Sequence, residues 1–238
     1  APELTRQTEA VGVPVVAISI FKAYPTEAAK LNPTLGDEDA AYDTGLPEAI
    51  RLIGAILGRD KQAEDLVTYA VEQRRAVGEH LKNLTESERV AMYMANPDLT
   101  TYGRGKYTGI MMQKAGGRNV ANAILGYKQV SMEDVLAWNP AVVFVQDRYP
   151  TVIDEIRKSQ AWANVAAVKD GRVYLMPEYA KAWGHAMPEA WALGEIWMAK
   201  KLYPGRFADV DTRALADRDY RRFYCTEHQG LDPSLTHI

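Results

Sequence analysis

Three short apolar runs constrain the fold more than any other feature: RVAMYMA at residues 89–95, NPAVVFVQD at 139–147 and GRVYLMP at 171–177. Runs of this length, rich in β-branched and aromatic residues and bounded by turn formers, read as buried strands. Helical patterns separate them, from about Gly109 to Ala115, Ser131 to Ala137 and Val152 to Ser159, and another runs on to about Leu202. Ser131 is a natural N-cap. The order β-loop-α-β-α-β-loop-α predicts an α/β fold with a parallel sheet. Ligands of such sheets collect beyond the carboxyl ends of the strands.

Ahead of this unit the pattern is different. In TRQTEAVGVPVVAISI (residues 5–20) a polar, helix-compatible half gives way at Gly12 to an apolar run from Val13 to Ile18. That reads as a helix end, a tight turn and a buried parallel strand. Residues 22–44 form a long connection, and Pro47 suits the first turn of a following helix with Ile50, Ile53 and Leu57 on one face. Gly58, Arg59 and Asp60 interrupt it. Ala63, Leu66, Val67, Ala70, Val77 and Leu81 then recur at helical spacing. A helix of that length spans roughly 30 Å and suits a strut between two lobes.

Several function classes are excluded or disfavoured. A formal net charge of -3 over 238 residues leaves no basic stripe for nucleic acid, and no apolar run approaches a membrane span. The single cysteine, Cys225, permits no internal disulfide and does not decide the compartment. No nucleophile elbow or P-loop is present, so no catalytic residues are expected. Gly103, Gly105 and Gly109 fall one residue off a dinucleotide fingerprint, where the neighbouring tyrosines and charges would crowd a pyrophosphate. None of the 4 histidines pairs with another at metal-ligand spacing, and Cys225-x-x-His228 lacks a second half, so no metal site or cofactor is expected.

Two loops at strand ends carry the remaining chemistry. PDLTTYGRGKYTG (residues 97–109) combines Tyr102, Arg104, Lys106 and Tyr107 with three glycines. As an isolated stretch it could be a solvated turn. Its arginine fork, lysine charge and phenolic faces instead suit a bulky or anionic small molecule. The segment 178–189 adds Lys181, Trp183 and His185. A lone histidine is often a hydrogen-bonded loop residue, but a tryptophan beside Gly184 in a polar loop needs a partner for its N–H and a surface to cover. Trp191 and Trp197 fall on the next helix and read as core. Glu133, in the first turn after Ser131, is by composition an exposed carboxylate favoured at a helix N-terminus.

The ordered set AGGRNVA (residues 115–121), SMEDVLAWNPAVVFVQD (131–147), WANVAAVKDGRVYLMP (162–177) and PEAWALGEIWMAKKLYPGRF (188–207) resembles the substrate-binding proteins of ABC importers for ferric siderophores, haem and cobalamin. EAVGVPVVAISI resembles the end of that family's first lobe. The resemblance implies two α/β lobes joined by a long helix, with the ligand between them. It divides the chain into a first-lobe remnant and connection (1–43), an inter-lobe helical segment (44–84) and a second α/β lobe with a C-terminal tail (85–238), most of a first lobe being absent. It implies no catalysis, a periplasmic or lipid-anchored location, and a monomer that delivers cargo to a membrane permease. Glu133 falls where the family carries an acidic residue that meets arginines of the permease. The expected ligand contacts are Tyr102, Arg104, Lys106, Tyr107, Trp183 and His185, and the expected cargo is a ferric siderophore or similar iron chelate. Haem, cobalamin, molybdate and tungstate are the alternatives on the same scaffold. An enzyme or metal-cluster module on a related two-lobed fold, and a sensor built from the second lobe alone, are the competing classes. One cysteine argues against the metal cluster.

Overall fold

The computed structural model describes residues 2–16, 18–23, 26, 35, 37–226 and 228. Its centre is a four-stranded parallel sheet in the order β3-β1-β5-β6, formed by β1 (Ala91–Ala95), β3 (Arg118–Asn119), β5 (Val142–Val145) and β6 (Val173–Leu175). A second, two-stranded antiparallel ribbon pairs β2 (Thr100–Tyr102) with β4 (Tyr127–Gln129).

Alternation along the strands feeds two separate cores. Met92, Met94, Val142 and Phe144 pack on one face with α3 (Asp60–His80), α4 (Tyr107–Lys114), a π-turn at Ala190–Gly194 and α8 (Glu195–Leu202). Tyr93, Ala95, Val143 and Val145 point the other way, with α5 (Met132–Trp138), α6 (Pro150–Lys158) and α7 (Ala166–Lys169) covering them. Both faces are dry, which is why these strands read as continuous apolar runs. Trp191 and Trp197 are core residues, as expected. The chain continues into α9 (Thr212–Asp219) and a second π-turn at Tyr220–Tyr224, after which Cys225 is exposed.

Two expectations fail in the amino-terminal part. Residues 13–16 and Ile18 form no strand; Val13 is 49% exposed and Val16 54%. Apolarity alone does not make a strand, because the backbone also needs neighbours to bond with, and Pro14 removes one donor outright. The helix following this segment also starts earlier than expected. After α1 (Pro2–Glu9), α2 runs Glu38–Leu57, so Pro47 lies inside it rather than in its first turn. The Asp37 carboxylate accepts from the Ala40 N–H at 2.9 Å and caps the start, and Glu38 and Asp39 favour the N-terminal dipole. Gly58, at φ 61°, closes the helix in the left-handed conformation, where a glycine is cheapest. The 21-residue α3 follows at once and lies against α2, the π-turn and α8.

Candidate functional site

The carboxyl ends of β1, β5 and β6 open onto three segments: residues 97–108, 146–149 and 176–187. The first is a fixed shelf. Gly103 N–H donates to the Gly126 carbonyl at 2.9 Å, Arg104 N–H to the Ile124 carbonyl at 2.9 Å, and Gly126 N–H to the Arg104 carbonyl at 2.8 Å. Glycine is required at 103, because a Cβ there would stand 2.0 Å from the Ile124 carbonyl oxygen. Tyr102 is buried against Tyr127, ring centroids 4.6 Å apart, and its carbonyl accepts from Asn119 Nδ2 at 2.9 Å. Arg104 lies exposed on the shelf and Lys106 half-buried.

Ala182 ties the three segments together. Its carbonyl accepts from Gln146 Nε2 at 2.6 Å and from Thr108 Oγ1 at 3.2 Å. The other end of Gln146 accepts from Arg148 Nε at 2.7 Å, which sets the direction of that guanidinium. Trp183 Nε1 donates to Asp147 Oδ1 at 2.9 Å, and the Arg148 guanidinium lies 5.8 Å from the Trp183 ring centroid. Gly184, at φ 87°, comes so close to Tyr102 that a Cβ would meet its ring at 2.9 Å.

The field at this edge is positive. Burial lowers the His185 imidazole below the ordinary histidine range, and the charges of Lys106 and Arg148 lower it further. Burial likewise lowers the Lys106 ammonium. Asp147 is raised above the usual carboxylate range by burial, against the opposing hydrogen bond from Trp183. The charges of Lys106 and Arg148 therefore both reach His185, and an arginine fork, an ammonium and an imidazole share this edge.

The expected contacts divide accordingly. Arg104, Lys106, Trp183 and His185 lie on these segments, and Tyr102 forms part of their packed base. Tyr107 does not belong among the ligand contacts: it has 0% exposure, and its hydroxyl donates to Glu195 Oε1 at 2.8 Å in the core. It opens α4, and the hydrophobic interior claims the first residue of that helix. Lys181 is also no free charge, because it forms an ion pair with Glu178. Trp183 offers its indole face, its N–H being held by Asp147. Gln146 and Arg148 were missed. They directly follow β5, and the strand-end rule that selected the other two loops points equally to them; the short QDRYP stretch has no glycine to draw attention.

Glu133 lies apart, exposed in the first turn of α5. Ser131 Oγ accepts from the Asp134 N–H at 3.1 Å and the Asp134 carboxylate from the Ser131 N–H at 2.9 Å, a reciprocal cap that fixes where Glu133 stands. Among the described residues no group of three or more His, Cys, Asp or Glu side chains could hold a metal ion, and no helix is long and apolar enough to cross a membrane.

The chain is similar to several known proteins. It is 53% identical over 228 residues to the molybdate-binding protein MolA of Haemophilus influenzae, covering 95% of this chain and 65% of that protein. The solved structure of MolA bound to molybdate superposes with a TM-score of 0.90 at 52% identity, over 96% of this chain and 71% of that one. A periplasmic solute binding protein from Veillonella parvula, at 24% identity, shares the fold with a TM-score of 0.73, over 96% of this chain and 64% of that one. The sequence profile described as periplasmic binding protein matches residues 3–180. With a parallel α/β sheet whose strand ends gather its charged loops, the chain belongs to the periplasmic binding protein family.

Proposed function

We propose that this chain is the part of an ABC importer's solute-binding protein that captures a tetrahedral oxyanion, molybdate or tungstate, and hands it to a membrane permease. The observation that carries the reading is the convergence of Lys106, Arg148 and His185 at the strand ends, beside the indole face of Trp183. A small dianion needs charge and several donors in a compact space, and this edge supplies both. The likeness to MolA supports the choice of oxyanion over the ferric chelate expected from sequence. The chain spans 65% of that relative's length. The protein's place is outside the cytoplasmic membrane, as a monomer with no catalysis and no resident cofactor. Glu133, exposed on a rigid cap, is the carboxylate we assign to the permease, fixing register more than affinity.

Isothermal titration with molybdate, tungstate, sulfate, phosphate and ferric citrate tests this. Binding of molybdate and tungstate, weakened at least about tenfold by Arg148→Ala and unchanged by Glu133→Ala, is expected. A preference for ferric citrate would overturn the oxyanion. Normal uptake by cells carrying Glu133→Ala would overturn the docking role.

A further inference from the structure

The loop that offers Lys106 to the anion ends at Tyr107, and Tyr107 is held from two sides. On one side its ring meets that of Tyr42 on α2 edge to face, centroids 5.6 Å apart. Its hydroxyl donates to Glu195 Oε1 at 2.8 Å. Glu195, at 0% exposure, is gripped in turn by Arg74 of α3, with Nε 2.8 Å from Oε2. Arg74 lies over the Trp191 ring, 3.9 Å from its centroid, and reaches Asp43 of α2 with Nη1. Four elements thus meet at the residue directly after the loop.

Stability is a poor reason for this arrangement. Taking a carboxylate and a guanidinium out of water costs about as much as their attraction returns, and apolar residues of equal volume often serve a core better. What a buried, bidentate pair provides is direction: the Arg74 fork accepts one carboxylate geometry, and that geometry aims Oε1 at one hydroxyl. Lys106 directly precedes Tyr107 as the N-cap residue of α4, so where Tyr107 is held sets where the Lys106 backbone stands.

We propose that Tyr107, Glu195 and Arg74 are positioning residues for the anion loop, a buried chain that transmits the placement of α2 and α3 to Lys106. The proposal rests on the oxyanion reading only for its effect on affinity; the placement of the loop can be tested without ligand.

Tyr107→Phe removes one oxygen and leaves Glu195 bonded to Arg74. Amide hydrogen exchange of the ligand-free protein should quicken about tenfold over residues 104–108, with β1 and β5 unchanged, and molybdate should bind about tenfold more weakly. Glu195→Gln, which keeps the shape but not the charge of the link, should shift both readouts the same way and serves if the first variant does not fold. A merely structural role would quicken exchange throughout α3, α4 and α8 without favouring the loop. That pattern, unchanged exchange at 104–108, or unchanged affinity where the wild type binds molybdate, overturns the proposal. A wild type that ignores molybdate overturns the oxyanion reading instead, and exchange alone then decides the positioning role.

Discussion

VPVVAI at residues 13–18 and AVVFV at 141–145 are nearly the same kind of sequence, and the molecule treats them oppositely. Val142, Val143, Phe144 and Val145 each have 0% exposure, with β1 on one side and β6 on the other. Val13, Val15, Val16 and Ile18 all stand exposed and no strand forms. Residue type is therefore not what separates them. β5 has a partner for its backbone along both edges and a helix layer over both faces. The 13–18 segment has Pro14 in its course and no sheet neighbour among the described residues. Strand propensity amounts to fitting a surface that other elements must supply.

The contrast can be broken by truncation. Phe144 touches Trp197 and Tyr174 at ring-centroid distances of 5.8 Å and 5.9 Å, so Phe144→Ala should cost about 3–5 kcal/mol in urea unfolding. Val16→Ala should stay within about 0.5 kcal/mol. Comparable losses from the two variants would show that residues 13–18 are buried in solution.

Adding a methyl group sharpens the same contrast on a smaller scale. A Cβ at Gly194 would stand 2.4 Å from the Ala180 carbonyl oxygen, and Gly194→Ala should cost about 1–3 kcal/mol. Gly78, in the outer part of α3, would meet nothing within 4 Å, and Gly78→Ala should gain about 0.5–1 kcal/mol of helix stability. Thermal unfolding of both variants measures the difference, and equal shifts would contradict the packing described for the π-turn.

A pH slope set by Asp219 tests burial of a different kind. This carboxylate is buried, 2% exposed, with no hydrogen-bond partner for Oδ1 among the described residues. Burial first, and the charge of Glu189 second, push it up to about 7. The folded value lies above the unfolded one, so the folded protein keeps a proton that the unfolded chain has lost. Stability is then fully present below about pH 4 and declines as pH rises toward 7, by up to about 4 kcal/mol over that interval. Asp219→Asn should flatten the urea midpoint between pH 5 and pH 8; a slope retained in the variant assigns it to another group.

Much of the fold was legible because its signals were redundant. The three strand runs, the Ser131 cap, the Gly58 stop and the recurrence from Ala63 to Leu81 each combine a local preference with a burial pattern, and each appears in the structure. The start of α2 was missed because Pro47 looked like a first-turn residue, while Asp37, Glu38 and Asp39 carried the stronger start signal. The site was half legible. Loop position and charge drew attention to Arg104, Lys106, Trp183 and His185. No sequence pattern says that Tyr107 turns inward to Glu195, eighty-eight residues away in the chain, or that Lys181 is consumed by Glu178. Those outcomes depend on which side chains the tertiary fold brings within reach. The ribbon of β2 and β4 was likewise invisible, since its strands are three residues long and β4 is exposed.

The atom that joins the three loops, the carbonyl oxygen of Ala182, belongs to the main chain. No point substitution at position 182 can delete it, although a larger side chain would be resisted in so tight a place. The frame can therefore outlast changes in the residues it displays. Arg148 and His185 can drift, and with them the preference among anions of similar size, while Gln146 and Thr108 keep the loops in register. A lineage that altered its cargo by this route would leave the frame intact and change only the side chains facing the solute, so divergence should concentrate there.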